Sequence, residues 1–261
     1  MKRLLAYLVL AAGMAGFVTG CSGVSVQSSW RNPDVKIDGA GDEWVESLVQ
    51  IGNTSTAVGV SNDAEALYLA IVPWNQQVLV QVAGTGLYLW FQPERDAAKR
   101  FALHFPNGDV SIALQMAQTL SRTETLKLIR QLADQDTMVE LLDHDSRVIA
   151  KLSRADAAAN GLEVSLGDYR GRLMIEARIP WNYQVNGRGY ELSPDGPIIL
   201  NVQTPVDVID ERVRQQDEQR GTDPFIFNQP SGNTEVVAEP NLFRFPLDFD
   251  VNIQPVIGSE Q

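Results

Sequence analysis

Thr56-Ala-Val-Gly-Val-Ser-Asn-Asp-Ala-Glu-Ala-Leu-Tyr-Leu-Ala-Ile-Val-Pro73 is the stretch that decides the fold class. Thr56 to Val60 is a short apolar run, Ser61-Asn62-Asp63 is a cluster of turn formers, and Leu67 to Val72 is a second apolar run stopped at Pro73. Proline cannot donate to a β-ladder, and runs this short between turn residues read as strands rather than helices. The same punctuation recurs outward along the chain. Gly86 to Phe91 and Phe101 to Phe105 are strands, the latter closed by Pro106-Asn107-Gly108-Asp109. Met138 to Leu142, Arg147 to Leu152, Leu162 to Leu166, Arg172 to Ile179, Pro197 to Gln203 and Leu242 to Val251 follow. The turn region Gly167-Asp168-Tyr169-Arg170-Gly171 pairs two of them. Many short strands predict an antiparallel, immunoglobulin-like β-sandwich. One segment breaks the pattern: Ser121-Arg-Thr-Glu124 forms a capping box, and Leu126, Ile129, Leu132 and Ala133 recur at helical spacing. It predicts a single helical insertion over about 122–134.

Before these strands stands an export signal. Lys2 and Arg3 precede an uncharged run from Leu4 to Val18, too short for a comfortable membrane span. Val18-Thr19-Gly20-Cys21 resembles the lipobox of bacterial lipoproteins at all four positions. The resemblance implies cleavage after residue 20, a palmitate-type anchor on Cys21 and attachment to a membrane of the cell envelope. Ser22 in place of Asp implies the outer membrane. Residues 21–34 then read as lipidated Cys and tether, and 35–261 as one domain.

Loss of residues 1–20 removes two basic groups, leaving 19 Lys+Arg against 33 Asp+Glu, a formal charge of −14. A field of that sign repels nucleic acid and suits cations, neutral ligands or basic partners. Cys21 is the only cysteine, so the domain has no disulfide, thiol nucleophile or Cys-based metal site. With only two histidines, His104 and His144, histidine-based catalysis and multi-histidine metal sites are severely limited as well. No serine elbow, phosphate-cradling loop or paired metal motif occurs, and the chain is expected not to be an enzyme.

Three segments carry a family resemblance. Ile37-Asp38-Gly39-Ala40-Gly41-Asp42-Glu43-Trp44 resembles the opening signature of family-nine-like carbohydrate-binding modules, part of the wider DOMON-like group. Val58 to Leu69 resembles the second signature of that family, and Ile175-Glu-Ala-Arg-Ile-Pro-Trp181 its late strand. Together they span about residues 35–205. The resemblance implies a sandwich of roughly ten strands without catalytic machinery, which binds sugar and in some members calcium; DOMON relatives elsewhere bind haem.

Residue chemistry gives the first signature two readings. Asp38-Gly39 is a turn pair, Asp42 can accept backbone N–H groups, and Trp44 folds onto the end of the sandwich. Alternatively Asp38, Asp42 and Glu43, with a carbonyl or two, hold a hard cation such as calcium.

An internal echo adds a candidate site. Ala70-Ile-Val-Pro-Trp-Asn-Gln-Gln-Val78 and Ala177-Arg-Ile-Pro-Trp-Asn-Tyr-Gln-Val185 agree at six of nine positions. Each closes a strand, so Trp74 and Trp181 at one rim form a sugar clamp. The amides of Asn75, Gln77, Asn182 and Gln184 bond hydroxyls there, with Tyr183 and Arg178 as accessories. The competing reading makes both tryptophans plugs of the core. Trp90 reads as core, and Trp30 as either. Asp143-His144-Asp145 reads as a turn cap or a weak proton-shuttle or metal site. Haem needs His104 or His144 with a methionine such as Met116, Met138 or Met174. The leading expectation is a lipid-anchored envelope protein that binds carbohydrate; the alternative is an assembly lipoprotein that docks a protein partner through the acidic, Gln-rich 207–223 segment.

Overall fold

Period-two alternation sends Leu67, Leu69 and Ile71 into the main core and Tyr68, Ala70 and Val72 to the opposite face of the same strand. The same rule, applied to every strand, builds the fold. The computed structural model describes residues 24–31, 35–105, 121–134, 138–204 and 247–257. The expected signal peptide, Cys21 and the 207–223 segment lie outside them.

The strands are β1 (Val24–Gln27), β2 (Ser29–Trp30), β3 (Val49–Gln50), β4 (Thr56–Asn62) and β5 (Ala66–Pro73). They continue with β6 (Leu87–Pro93), β7 (Phe101–Phe105), β8 (Met138–Leu142), β9 (Val148–Ser153) and β10 (Glu163–Tyr169). β11 (Arg172–Pro180), β12 (Asn182–Val185), β13 (Arg188–Glu191), β14 (Ile198–Gln203) and β15 (Asp248–Gln254) complete the set. One sheet runs β1-β15-β14-β6-β7-β8-β9; the other runs β10-β11-β5-β4-β2, with β3 also on β4. β12 and β13 form a separate hairpin. Leu89, Phe91, Leu103, Leu141, Leu200 and Val251 of the first sheet share one buried cluster with Val58, Val60, Leu69, Leu173, Ile175 and Ile179 of the second. The expected β-sandwich is therefore the fold, with its core between two sheets.

Local chemistry behaves as expected at several turns. Arg170 and Gly171 both take positive φ between β10 and β11, the geometry of a two-residue hairpin, and Asp168 accepts the Gly171 N–H at 2.6 Å. Asp63 Oδ1 accepts from Glu65 N and Ala66 N, each at 2.8 Å, turning β4 into β5. The capping box forms between Ser121 and Glu124 at the head of the expected helix, Arg122–Asp134.

Two expectations are corrected. Val24–Trp30 is not a tether: β1 pairs in parallel with β15 and β2 with β4, so the chain crosses between sheets at buried Ser28. Ser28 Oγ donates to Asn62 Oδ1, and Asn62 Nδ2 donates to Val256 O at 2.9 Å, which ties the crossing down. Alternating Val24 and Val26 supply the apolar face that makes this worthwhile. Second, the helix at 122–134 is not the only one. α1 (Gln76–Thr85) precedes it as α2 (Arg122–Asp134), and α3 (Arg154–Ala159) follows. Trp90 is buried as expected, in a small cluster with Ala102 and Leu142 that is separate from the main one.

The segment Val35–Leu48 crosses the outer face of the six-stranded sheet as a strap. Trp44, 1% exposed, packs there with Val35, Tyr68, Ala70, Val72 and Met174, not at the end of the sandwich. The strap lies close: a Cβ on Gly59 of β4 would meet the Trp44 ring at 2.8 Å, and one on Gly39, at φ +81°, would meet the Gly167 backbone at 2.7 Å. The glycines of the signature are thus clearance for backbone and indole.

Candidate functional site

The repeated Pro-Trp-Asn device ends two antiparallel neighbours, β5 and β11, in the register Ile175↔Ile71. Strand ends that run in opposite directions finish at opposite ends of the sheet. Extending that register over nine residues at about 3.3 Å each separates positions 74 and 181 by roughly 30 Å. The single-rim clamp is therefore corrected. Trp181 is buried, and its Nε1 donates to Asp63 O at 3.0 Å: it is a plug. Trp74 is half-buried under the Arg172 guanidinium, 5.3 Å from the ring centroid.

The accessory residues also part company. Asn75 caps α1 by accepting from Gln77 N at 2.9 Å, whereas Asn182 is exposed on the β12–β13 hairpin. Gln77 is half-buried and Gln184 exposed. Tyr183 is buried against Tyr190, ring centroids 5.7 Å apart. Arg178 is a structural clamp, donating to Tyr68 OH at 3.2 Å, to Glu65 at 3.1 Å and to Gly161 O.

A second constellation stands on the outer face of the seven-stranded sheet. Register aligns Gln203, Tyr88, His104, Glu140 and Lys151 in one row and Asn201, Trp90, Ala102 and Leu142 in the next. The Tyr88 and Trp90 rings are near-parallel, with centroids 6.3 Å apart, and His104 stacks on Tyr88 at 4.2 Å. Arg100 covers one face of Trp90 at 4.1 Å, while Trp90 Nε1 is a buried donor without a partner among the described residues. Asn201 donates to Asp248 at 2.7 Å, and exposed Asp250 lies opposite Asn201. The signal was in the alternation of Leu87-Tyr-Leu-Trp-Phe91, which sends Tyr88 and Trp90 away from Leu87, Leu89 and Phe91.

His104 Nδ1 lies 3.0 Å from Glu140 Oε2, and Nε2 lies 2.8 Å from Thr85 O. Both partners accept, so a ring with both nitrogens protonated satisfies both. Neither nitrogen is left for iron. Met174 is buried in the strap cluster of the other sheet, so the haem pairing of His104 with Met174 does not form; Met116 lies outside the described residues. The His104 hydrogen bond outweighs burial and, with Lys151, holds Glu140 down to about 2.

A third cluster joins the strap to β11. One oxygen each from Asp38, Glu43 and Glu176 lies within 4.8 Å of the other two. Asp42, expected among the ligands, is exposed, is not part of the cluster and does not cap its 3-10 turn; Glu176 takes its place. Burial pushes Glu176 up to about 7; a hydrogen bond from Gly39 N opposes this, and the charges of Glu43 and Asp38 add to it. Its signal was a charged residue midway along the apolar strand Leu173 to Ile179. Beside this cluster, Glu43 and Trp44 also line a groove of about 480 Å³ with Gln27, Glu46 and Trp30, which is 48% exposed.

At Asp143-His144-Asp145 the turn reading holds. Asp143 Oδ1 accepts from Asp145 N and Arg147 N, each at 2.9 Å.

No family model matches the sequence, and no curated protein matches it. Among solved structures, a carbohydrate binding module family 9 from Caldicellulosiruptor kristjanssonii in complex with cellotriose is similar at 14% identity and TM-score 0.30. The alignment covers 69% of this chain and 75% of that one. A family 9 module of the same organism in complex with glucose is similar at 11% identity and TM-score 0.29, over 69% and 76%. Scores this low add no weight to a shared site, and the fold stands on the strands described above.

Proposed function

We propose that this chain is a non-catalytic, lipid-anchored envelope protein that binds a glycan on the outer face of its seven-stranded sheet. One observation carries the reading. Tyr88, Trp90 and His104 stand in register on a face that points away from the core, where an antiparallel sheet ordinarily turns polar side chains to water. Tyr88, the partly exposed ring of the three, offers apolar surface to the C–H faces of a sugar, with buried Trp90 and His104 packed parallel beside it. Gln203, Asn201, Asp248 and Asp250 on one side, and Glu140 and Lys151 on the other, offer acceptors and donors for its hydroxyls. The anchor rests on Val18-Thr19-Gly20-Cys21 and is tested by mass spectrometry of the Cys21 peptide for acyl groups.

The glycan reading is tested with the full chain in detergent on a broad glycan array. Bound glycan should be lost at least tenfold in Tyr88→Ala and retained in Trp74→Ala, which sits at a strand end of the other sheet. Absence of any glycan bound by the unmutated chain sinks the proposal. Loss in Trp74→Ala alone moves the site to that strand end.

A further inference from the structure

β1 starts at Val24, three residues after Cys21, and pairs with β15 from that first residue. Three peptide units reach about 11 Å at most. An anchor on Cys21 therefore holds the end of the sandwich where β1 starts close to the bilayer. Contacts at both ends extend this to the second sheet. A Cβ on Gly52, ahead of β4, would meet Val24 Cγ2 at 4.0 Å. At the far end Asn62 Nδ2 donates to Val256 O at 2.9 Å, and Val256 N donates to Asn62 Oδ1 at 3.0 Å, so the last residue of β4 meets the chain just past β15. β1, β15 and β4 thus start at one end and run the same way. β5, antiparallel to β4, finishes at that end with Pro73, and β11, antiparallel to β5, starts there with Arg172.

The rim so defined carries basic and aromatic chemistry. The register Ile175↔Ile71, carried on, sets Arg172 opposite Trp74, and its guanidinium lies 5.3 Å from the indole centroid. Arg170 stands at the tip of the β10–β11 hairpin, one turn residue beyond. Both arginines are exposed, and among the described residues neither is in an ion pair. The neighbouring carboxylate, Asp168, is already engaged by Arg130 and by Gly171 N. From the start of β4 to the start of β11 is two strand spacings, about 10 Å. The rim therefore lies beside the point where the anchored chain enters the domain.

We propose that Trp74, Arg170 and Arg172 dock this end of the sandwich on the anionic surface of the bilayer that holds the anchor. The proposal rests on the lipid-anchored reading of Cys21 and is independent of the glycan reading, which concerns the outer face of the other sheet. Guanidinium groups bind lipid phosphates in bidentate fashion, and an indole half-covered by protein suits the headgroup layer, where one side is apolar and the other wet. The chain as a whole is acidic, with 33 Asp+Glu against 21 Lys+Arg, so a locally basic rim is a part of its surface that an anionic bilayer attracts. Docking there fixes the strand axes steeply to the membrane and turns the opposite end, with Trp181 and the Asp63 turn, toward the aqueous side.

The test uses the acylated full chain in vesicles of phosphatidylethanolamine and phosphatidylglycerol. Cys21 is the only cysteine and is consumed by the anchor, so one added cysteine takes one nitroxide label. Asn53→Cys puts the label on the exposed loop at the anchored end. Gly196→Cys, where a Cβ meets nothing within 4 Å, puts it at the far end, just before β14. Collision with a water-soluble nickel chelate should be about threefold rarer at position 53 than at 196, and Arg170→Gln/Arg172→Gln or vesicles of phosphatidylcholine should each remove most of that difference. Equal collision at both positions, or protection at 196 instead, overturns the proposal. So does protection at 53 that neither the double variant nor phosphatidylcholine reduces. Mass spectrometry of the Cys21 peptide separates the two failures: equal collision with Cys21 acylated overturns the orientation alone, whereas an unacylated Cys21 removes the anchor and the proposal with it.

Discussion

Glu140 and Glu176 occupy matching positions on opposite sides of the molecule. Each sits midway along a strand, each points to the outer face of its sheet, and both are buried. Yet one is held down to about 2 and the other pushed up to about 7. Burial raises both, so burial does not separate them. What differs is the sign of the neighbours: His104 and Lys151 beside Glu140, Asp38 and Glu43 beside Glu176. The sheet supplies a half-dry position, and the adjoining elements decide whether the charge is welcome there.

The strongest way to break this contrast is Trp44→Ala. Removing the indole that roofs the strap should cost about 3–5 kcal/mol in chemical denaturation. It should also let water reach Glu176, so that its titration by NMR falls back toward 4.5. A loss below about 1 kcal/mol would mean that the strap is held by something other than Trp44.

Acid titration of stability separates the two glutamates by sign. Glu176 binds its proton more tightly when folded. Its contribution is therefore complete below the unfolded value of 4.5 and is lost as pH rises through about 7. The whole swing is about 3 kcal/mol. Glu176→Gln should remove that slope between pH 4.5 and 7 in calcium-free buffer; an unchanged slope refutes the raised value. Glu140 does the reverse: its contribution is present above 4.5 and is lost as pH falls toward about 2. Glu140→Gln should cost about 2 kcal/mol at pH 7 after allowance for solvent screening, and should flatten the acid limb. The smallest effect is expected from Lys151→Ala. Its side chain is 60% exposed, so its ion pair is worth at most about 1 kcal/mol, and that little should fade in high salt. A larger, salt-insensitive loss would make Lys151 rather than His104 the main partner of Glu140.

Much of this was legible because it is local. The short apolar strand runs Leu67 to Val72 and Leu87 to Phe91, the Asn62-Asp63 turn and the Ser121 capping box each lie within a few residues, and each forms as written. α1 was harder to read, since valines in Val78-Leu-Val-Gln-Val82 favour strands. Asn75 as its cap was the available clue. The site fared less well. Asp38 and Glu43 are close in sequence, but Glu176 reaches them from more than 130 residues away. Trp74 and Trp181 share a motif and no rim, because a motif fixes how a strand ends and not which way its neighbour runs.

The sequence by itself determined where strands begin, turn and stop, which side chains alternate toward the core, and that no cysteine chemistry operates in the domain. Those properties follow from backbone sterics and period-two geometry, which act over a few residues. Only the tertiary structure decided that Val24–Trp30 joins both sheets, that Tyr88, Trp90 and His104 share one outer face, and that Glu176 lies beneath Asp38 and Glu43. Strand order and register are set by burial summed over the whole chain, and a site assembled across neighbouring strands inherits that non-local choice.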